Sequence, residues 1–292
     1  LCHCQCLGVR LIRTRPSPIE LTTSVWKCFN SAREVEIFYS PISVAELSLE
    51  LAWRDVGRPA PSPSVPNPKL DPDRYLIELC HDSASAETRS VTTVCVSLCD
   101  YEQFICRALD SVYSQSSRAL HLIVVDDGST DQGFLFARSW LDQNAQRFER
   151  ALLVRHSSNH GLAAARNTAF SLATTPWCFV LDADNTLDPQ AVERCQLLAR
   201  ESQHDVAVIH PLVRVNHGLR SDSGSNCLIS GLPWLKKAFV HGNYIDAMAL
   251  VRRSAWEAVG GYAAIPGGWE DFDFWCQLNT ALSCLFPVTV FP

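Results

Sequence analysis

Residues 177–187 constrain the fold more than any other part of the chain. They read Trp177-Cys178-Phe179-Val180-Leu181-Asp182-Ala183-Asp184-Asn185-Thr186-Leu187. Five apolar residues that end abruptly in two carboxylates describe a buried central strand delivering acid groups to its carboxyl end. Successive side chains of an extended chain alternate, so Asp182 and Asp184 would point the same way and converge on one ligand. Two hard anionic oxygens at one spot suit Mg²⁺ or Mn²⁺, which keep water and take phosphate oxygens as further ligands. A strand running into a plain turn would also carry Asp and Asn, so the rest of the chain must decide.

From Val91 the pattern alternates between strands and helices, the signature of a mostly parallel α/β sheet. Strands are predicted at 91–98, 120–125, 151–154, 177–181, 206–210 and 244–251. Helices are predicted at 102–113, beyond residue 131 (carrying Leu135, Phe136, Trp140 and Leu141), at 163–172, from Asp188, at 254–259 and at 270–282. Asp188 is a good helix cap with Pro189 at the favoured first position, and Gly260-Gly261 is a good stop. Residues 1–88 match no such pattern. They hold one expected short helix at 44–54 and a Pro-rich stretch, about 57–72, of linker composition. The expected organisation is an N-terminal extension, 1–88, and an α/β domain, 89–292.

Composition narrows the function. With 47% hydrophobic and 19% charged residues the 292-residue chain is globular. A net charge of −6 and no long basic run argue against a nucleic-acid partner. No apolar stretch approaches the ~18 residues of a membrane helix, which leaves peripheral attachment to a membrane's inner face as the compatible mode. Thirteen cysteines is a high and odd number, yet Cys95, Cys106, Cys178, Cys195 and Cys276 sit inside apolar strand or helix patterns. They read as reduced thiols of a cytoplasmic protein. Cys2-His3-Cys4-Gln5-Cys6 is too tightly spaced for the usual zinc knuckle. The chain begins at Leu1 with no leader of signal-peptide type.

Ligands of open α/β sheets bind beyond the carboxyl ends of the strands. Three strand ends carry unusual polar groups: Ser97 to Tyr101, Asp126 to Asp131, and Asp182 to Asp184. A nucleotide is expected there, touched by Ser97, Asp100, Asp126 and Asp127. Two adjacent carboxylates in Asp126-Asp127-Gly128-Ser129-Thr130 exceed what a helix cap requires, and Gly128 permits a tight turn with close backbone approach. Asn159-His160-Gly161 opens a helix of small residues carrying Arg166, a suitable cradle for phosphate charge. The alternative for Arg166 is a solvated place on an Ala-rich helix. Gly267-Gly268-Trp269-Glu270-Asp271 places acids in a helix first turn, where the dipole favours them. A carboxylate there could act as general base, with Trp269 as a flat platform for a sugar ring.

Together, Asp126-Asp127-Gly128-Ser129-Thr130-Asp131, Asn159-x-Gly161 with Ala165-Arg166-Asn167, Leu181-Asp182-Ala183-Asp184 and Trp269-Glu270-Asp271 resemble the ordered motif set of the family 2 glycosyltransferases. Four motifs in order are far more specific than one. The resemblance spans about 91–282 and implies a GT-A fold, an α/β nucleotide-diphospho-sugar transferase architecture. It implies base and ribose contacts at Asp126 and Asp127, Mn²⁺ or Mg²⁺ with the sugar diphosphate at Asp182 and Asp184, and Arg166 near the diphosphate. It also implies Asp271 as catalytic base beside Glu270, with inverting transfer to a carbohydrate or lipid-linked acceptor, as in bacterial polysaccharide or glycoconjugate synthesis. Ser97-Leu98-Cys99-Asp100-Tyr101 departs from the family's Pro-x-Tyr-Asn. Two rivals stand beside this reading. Asp182-Ala183-Asp184-Asn185-Thr186-Leu187 also fits the nucleophile motif of a haloacid dehalogenase-like phosphatase, with Asp182 as nucleophile, although that family opens with this strand. A non-catalytic nucleotide-sugar-binding module is the other.

Overall fold

The computed structural model describes residues 9–11, 24–30, 33–39, 74–83, 90–201, 206–215, 227–230, 234, 239, 242–265 and 268–281. The expected helix at 44–54, the Pro-rich stretch at 57–72, the Cys2 to Cys6 cluster and the apolar tail ending at Pro292 lie outside them. The chain divides into two units. One takes Leu1–Ala60, Leu212–Asp246 and Pro292, the other Pro61–Pro211 and Ala247–Phe291.

The described strands, in chain order, are β1 (Val9–Leu11), β2 (Ser24–Asn30), β3 (Arg33–Tyr39), β4 (Tyr75–Asp82), β5 (Thr92–Leu98) and β6 (His121–Asp126). They continue with β7 (Arg150–His156), β8 (Trp177–Asp182), β9 (Val208–Ile209), β10 (Val213–Val215), β11 (Cys227–Ile229) and β12 (Leu250–Arg252). The helices are α1 (Ile105–Tyr113), α2 (Gly133–Asn144), α3 (Leu162–Leu172), α4 (Ala191–Glu201), α5 (Arg253–Ala258) and α6 (Glu270–Ala281). In the first unit β1, β2 and β3 form an antiparallel sheet in that order, and β10 pairs antiparallel with β11.

The second unit is built on a seven-stranded sheet of order β4-β7-β6-β5-β8-β12-β9. β5, β6, β7 and β8 are mutually parallel, while β4 runs antiparallel to β7 and β12 antiparallel to β8 and β9. Every residue of β5 and β6 is buried, as are Trp177 to Leu181 of β8. Such continuous apolar strands belong in a parallel sheet with both faces covered. α1 buries Ile105, Ala108, Leu109 and Val112, a helical stripe at the expected spacing. In α2 the buried stripe is Phe134, Ala137 and Leu141, so the neighbouring Leu135 and Phe136 face outward.

Two features differ from the sequence expectation. β4 lies within the stretch taken as an N-terminal extension, yet it forms the edge of the main sheet, with Tyr75 opposite His156. Its register shifts between Ile77 and Leu79, and Leu76 and Ile77 are 69% and 49% exposed. A bulged edge strand keeps neither clean alternation nor a helical stripe, which is why the pattern is silent there. The expected strand at 206–210 shrinks to the two residues of β9, and that at 244–251 to the three of β12.

Candidate active site

The chain passes from β5 outward through β6 and β7, then returns to place β8 on the other side of β5. That reversal is the topological switch point where open α/β sheets bind ligands. Ser97 is buried there, opposite Asp182 across the β5–β8 pair, and its carbonyl accepts from Ala183 N–H at 3.2 Å. Beyond Ser97 the first loop is laced to the second acidic loop. Asp100 Oδ1 accepts from Thr130 N–H at 2.7 Å, Thr130 Oγ1 at 3.1 Å and Asp131 N–H at 3.3 Å. The Thr130 amide, opposed by burial and helped by the Thr130 hydroxyl and the Asp131 amide, holds the Asp100 carboxyl below its ordinary range. Asp100 does this from a left-handed backbone, φ 56°, which Asp tolerates better than most residues. Asp131 and Glu102 add two further bonds between the loops: Asp131 Oδ2 accepts from Glu102 N–H at 2.8 Å, and Glu102 Oε2 accepts from Gln132 N–H at 2.9 Å.

The two adjacent carboxylates at the end of β6 have different surroundings. Asp126 is fully buried, neither carboxylate oxygen accepts a well-aligned hydrogen bond, and Arg155 Nε lies 3.3 Å from its Oδ2. Burial pushes the Asp126 carboxyl up from its ordinary value, against the pull of Ser129 and Arg155. Asp127 is engaged on every side. Its Oδ1 meets His156 Nδ1 at 2.6 Å and His160 N–H at 2.9 Å, and its Oδ2 accepts from Gly161 N–H at 2.7 Å. It thereby fixes the entrance to α3, where donors orphaned by the helix start meet a carboxylate. His156 completes the brace through Nε2, 2.8 Å from Thr168 Oγ1 of α3.

Gly128 has φ 71° and sits against the third loop, where a Cβ would lie 2.7 Å from both the Asn159 nitrogen and the Ser158 carbonyl carbon. Backbone on backbone leaves nothing flexible to move aside. Gly128→Ala is expected to cost about 2–4 kcal/mol through left-handed strain plus overpacking, read from the urea unfolding midpoint.

At the end of β8 the site gathers around Arg166 of α3, which is 2% exposed. Its Nη2 donates to Asp182 Oδ1 at 3.0 Å and Oδ2 at 3.3 Å, and its Nη1 donates to Glu270 Oε1 at 2.9 Å. The guanidinium carbon stands 5.5 Å from the centre of the buried Tyr262 ring. Burial pulls the Arg166 guanidinium down, and Asp182 followed by Glu270 pushes it higher still, so it stays charged. The solvated alternative for Arg166 is thereby excluded. One side chain ties the acidic strand end to the acidic helix start, two motifs more than 80 residues apart in sequence.

The remaining candidates surround this tie. The extended geometry stops at Asp182: Asn185 N–H returns to the Asp182 carbonyl at 3.0 Å, so Asp184 sits in a turn, half-buried. Strand alternation therefore does not fix where Asp184 points. Among the described residues no three His, Cys, Asp or Glu side chains cluster as a metal site. Asp182 is part exposed with both oxygens on Arg166, and Asp184 is half-buried, so the pair supplies two hard-oxygen carboxylates of the kind Mg²⁺ or Mn²⁺ would need to have completed by phosphate and water. Glu270 is buried on Arg166, whereas Asp271 is half-buried and accepts from Phe272 N–H at 2.7 Å. Trp269, just before α6, is 46% exposed.

His156, Arg155, Glu102 and Asp131 hold the strand-end loops, and no sequence pattern assigns them that task. Their cross-loop partners lie 26 to 30 residues away. Nothing local signals them, beyond the placing of acids directly after strand ends.

A family model described as glycosyl transferase family 2 matches residues 93–260, more than half of the chain. Glycosyltransferase GlyA of Streptococcus pneumoniae is 29% identical over 116 residues, 40% of this chain and 16% of that protein. The teichoic acid poly(glycerol phosphate) polymerase of Staphylococcus epidermidis is 32% identical over 101 residues, 34% of this chain and 14% of that protein. The chain thus spans about a sixth of the length of these relatives. Among solved structures, S. aureus TarS 1–349 in complex with UDP superposes with a TM-score of 0.53 at 17% identity, covering 68% of this chain and 57% of that one. The shared architecture is the expected GT-A fold, and the chain belongs to glycosyl transferase family 2.

Proposed function

We propose that this chain transfers a sugar from a nucleotide-diphosphate sugar to an acceptor hydroxyl with inversion at the anomeric carbon. The observation that carries the reading is the Arg166 guanidinium shared between Asp182 and Glu270. A donor at the strand ends and a base on α6 would face each other across it. Of the adjacent pair, Asp126 rather than Asp127 would receive an N–H of the nucleobase, because Asp127 is already committed to His156, His160 and Gly161. Asp271 would remove the proton of the acceptor hydroxyl as that oxygen attacks the face opposite the diphosphate. Glu270 is committed to Arg166, which favours its neighbour for that role. The exposed face of Trp269 suits the acceptor sugar, carried on a carbohydrate or lipid-linked chain.

Asp182 and Asp184 are the residues that would hold Mn²⁺ or Mg²⁺, which when bound would offset charge on the leaving diphosphate. The resemblance to a teichoic acid poly(glycerol phosphate) polymerase supports bacterial polysaccharide or teichoic acid assembly as the setting. Seven described cysteines are free thiols, in keeping with a cytoplasmic, reducing setting. No helix among the described residues is long and apolar enough to cross a membrane. The family match takes in the Asp182 strand together with the three strands before it, and this weighs against the phosphatase alternative.

A panel of nucleotide sugars with and without Mn²⁺ tests the reading by thermal unfolding. A ligand that binds only the folded state raises the melting temperature. The expected result is a rise of several degrees that needs both sugar nucleotide and cation and disappears in Asp182→Asn. No rise with any donor would overturn the reading, and binding without transfer to any acceptor would leave the non-catalytic module.

A further inference from the structure

We infer that Asn167 is a positioning residue for transfer, acting through Tyr262 to set the roll of α6 and hence the aim of Asp271. This rests on the reading of Asp271 as the base. Asn167 follows Arg166 on α3, and its carboxamide grips a residue 95 positions away. Its Nδ2 donates to the Tyr262 carbonyl at 2.8 Å, and its Oδ1 accepts from Tyr262 N–H at 2.8 Å and Trp256 Nε1 at 3.0 Å. Holding both the N–H and the C=O of one residue fixes its direction as well as its place, as a strand neighbour would. The approach depends on the turn before it. Gly260 and Gly261 have φ 81° and 80°, and a Cβ at Gly261 would lie 2.7 Å from Asn167 Oδ1.

The grip reaches α6 through the Tyr262 ring, which is buried 4.3 Å from that of Phe274 at an interplanar angle of 31°. Phe274 follows Glu270 by four residues, so the two share one face of α6. That face is clamped twice: Arg166 holds Glu270, and Tyr262 packs on Phe274. Asp271 is one residue further round the helix, so its direction follows from how the clamped face is set. The hydrogen bonds of the Asn167 side chain go to Tyr262 and Trp256, not to Asp182 or Glu270. Its effect therefore travels by way of Tyr262. A reacting group displaced by about 1 Å can lose about 10²-fold in rate.

The test compares Asn167→Ala and Asn167→Asp with Asp271→Asn in steady-state sugar transfer, alongside the melting-temperature rise given by Mn²⁺ with UDP or GDP. Asn167→Ala is expected to lower kcat by about 10–100-fold, with donor KM within about twofold and the nucleotide-induced rise retained. Asn167→Asp keeps the oxygen that accepts from Tyr262 and Trp256, so it should rescue kcat to an intermediate value. It also decides the matter if the alanine variant fails to fold. Wild-type kcat in the aspartate variant, or a parallel loss of kcat and nucleotide-induced stabilisation, would overturn the inference. Normal turnover in Asp271→Asn would instead overturn the base assignment, so the two failures are distinguishable.

Discussion

Asp271→Asn is expected to lower sugar transfer by about 10³-fold while nucleotide binding stays within about twofold of wild type. Asparagine keeps the size of the side chain and an oxygen able to accept from Phe272 N–H, so α6 should start as before. What disappears is a group that can take a proton, and general-base catalysis is worth about 10²–10⁴-fold. Asp271 is half-buried at the helix start, while the adjacent Glu270 is sealed against Arg166. The measurement is the transfer rate at saturating donor beside the melting-temperature rise with nucleotide and Mn²⁺. Turnover within tenfold of wild type would remove Asp271 from the chemistry.

Arg166→Met is expected to be the most destabilising single change in the site, at about 3–5 kcal/mol. The substitution roughly fills the volume but leaves Glu270 buried beside Asp182 with no cation between them, and an uncompensated buried charge costs that much. Asp182 is part exposed, so water would relieve some of its share and place the loss toward the lower end. Adding Glu270→Gln to Arg166→Met should recover part of the loss, because it removes the charge left most deeply buried. Urea unfolding of the two single variants and the double variant closes the cycle. Additive losses would mean that the ion pair does not couple the helix to the strand. Transfer should fall as well, since Arg166 sets Glu270 beside the proposed base.

The parallel core was legible because its strands are continuous apolar runs between turn signals, as in β5, β6 and β8. Helix α1 was legible because Ile105, Ala108, Leu109 and Val112 repeat at the right spacing. β4 was not, since an exposed edge with a bulge carries neither period. Of the site residues, Asp182 and Arg166 could be singled out by chemistry, but no local rule says that an arginine among alanines turns inward. It does so because two carboxylates from distant parts of the chain await it. Asp127 stood out as one of a pair, and only the fold reveals that its oxygens serve His156, His160 and Gly161. Asn167 likewise depends on Tyr262, whose place was invisible in the letters Gly260-Gly261-Tyr262.

The outermost strand, β4, bears on how the protein can be handled at the bench. A recombinant version trimmed to begin at residue 89 would keep every acidic motif yet strip the cover from one side of β7. The bared backbone of β7 would then be a template for intermolecular strand addition. Expression trials that start ahead of Arg74 should give monodisperse material where the shorter version precipitates.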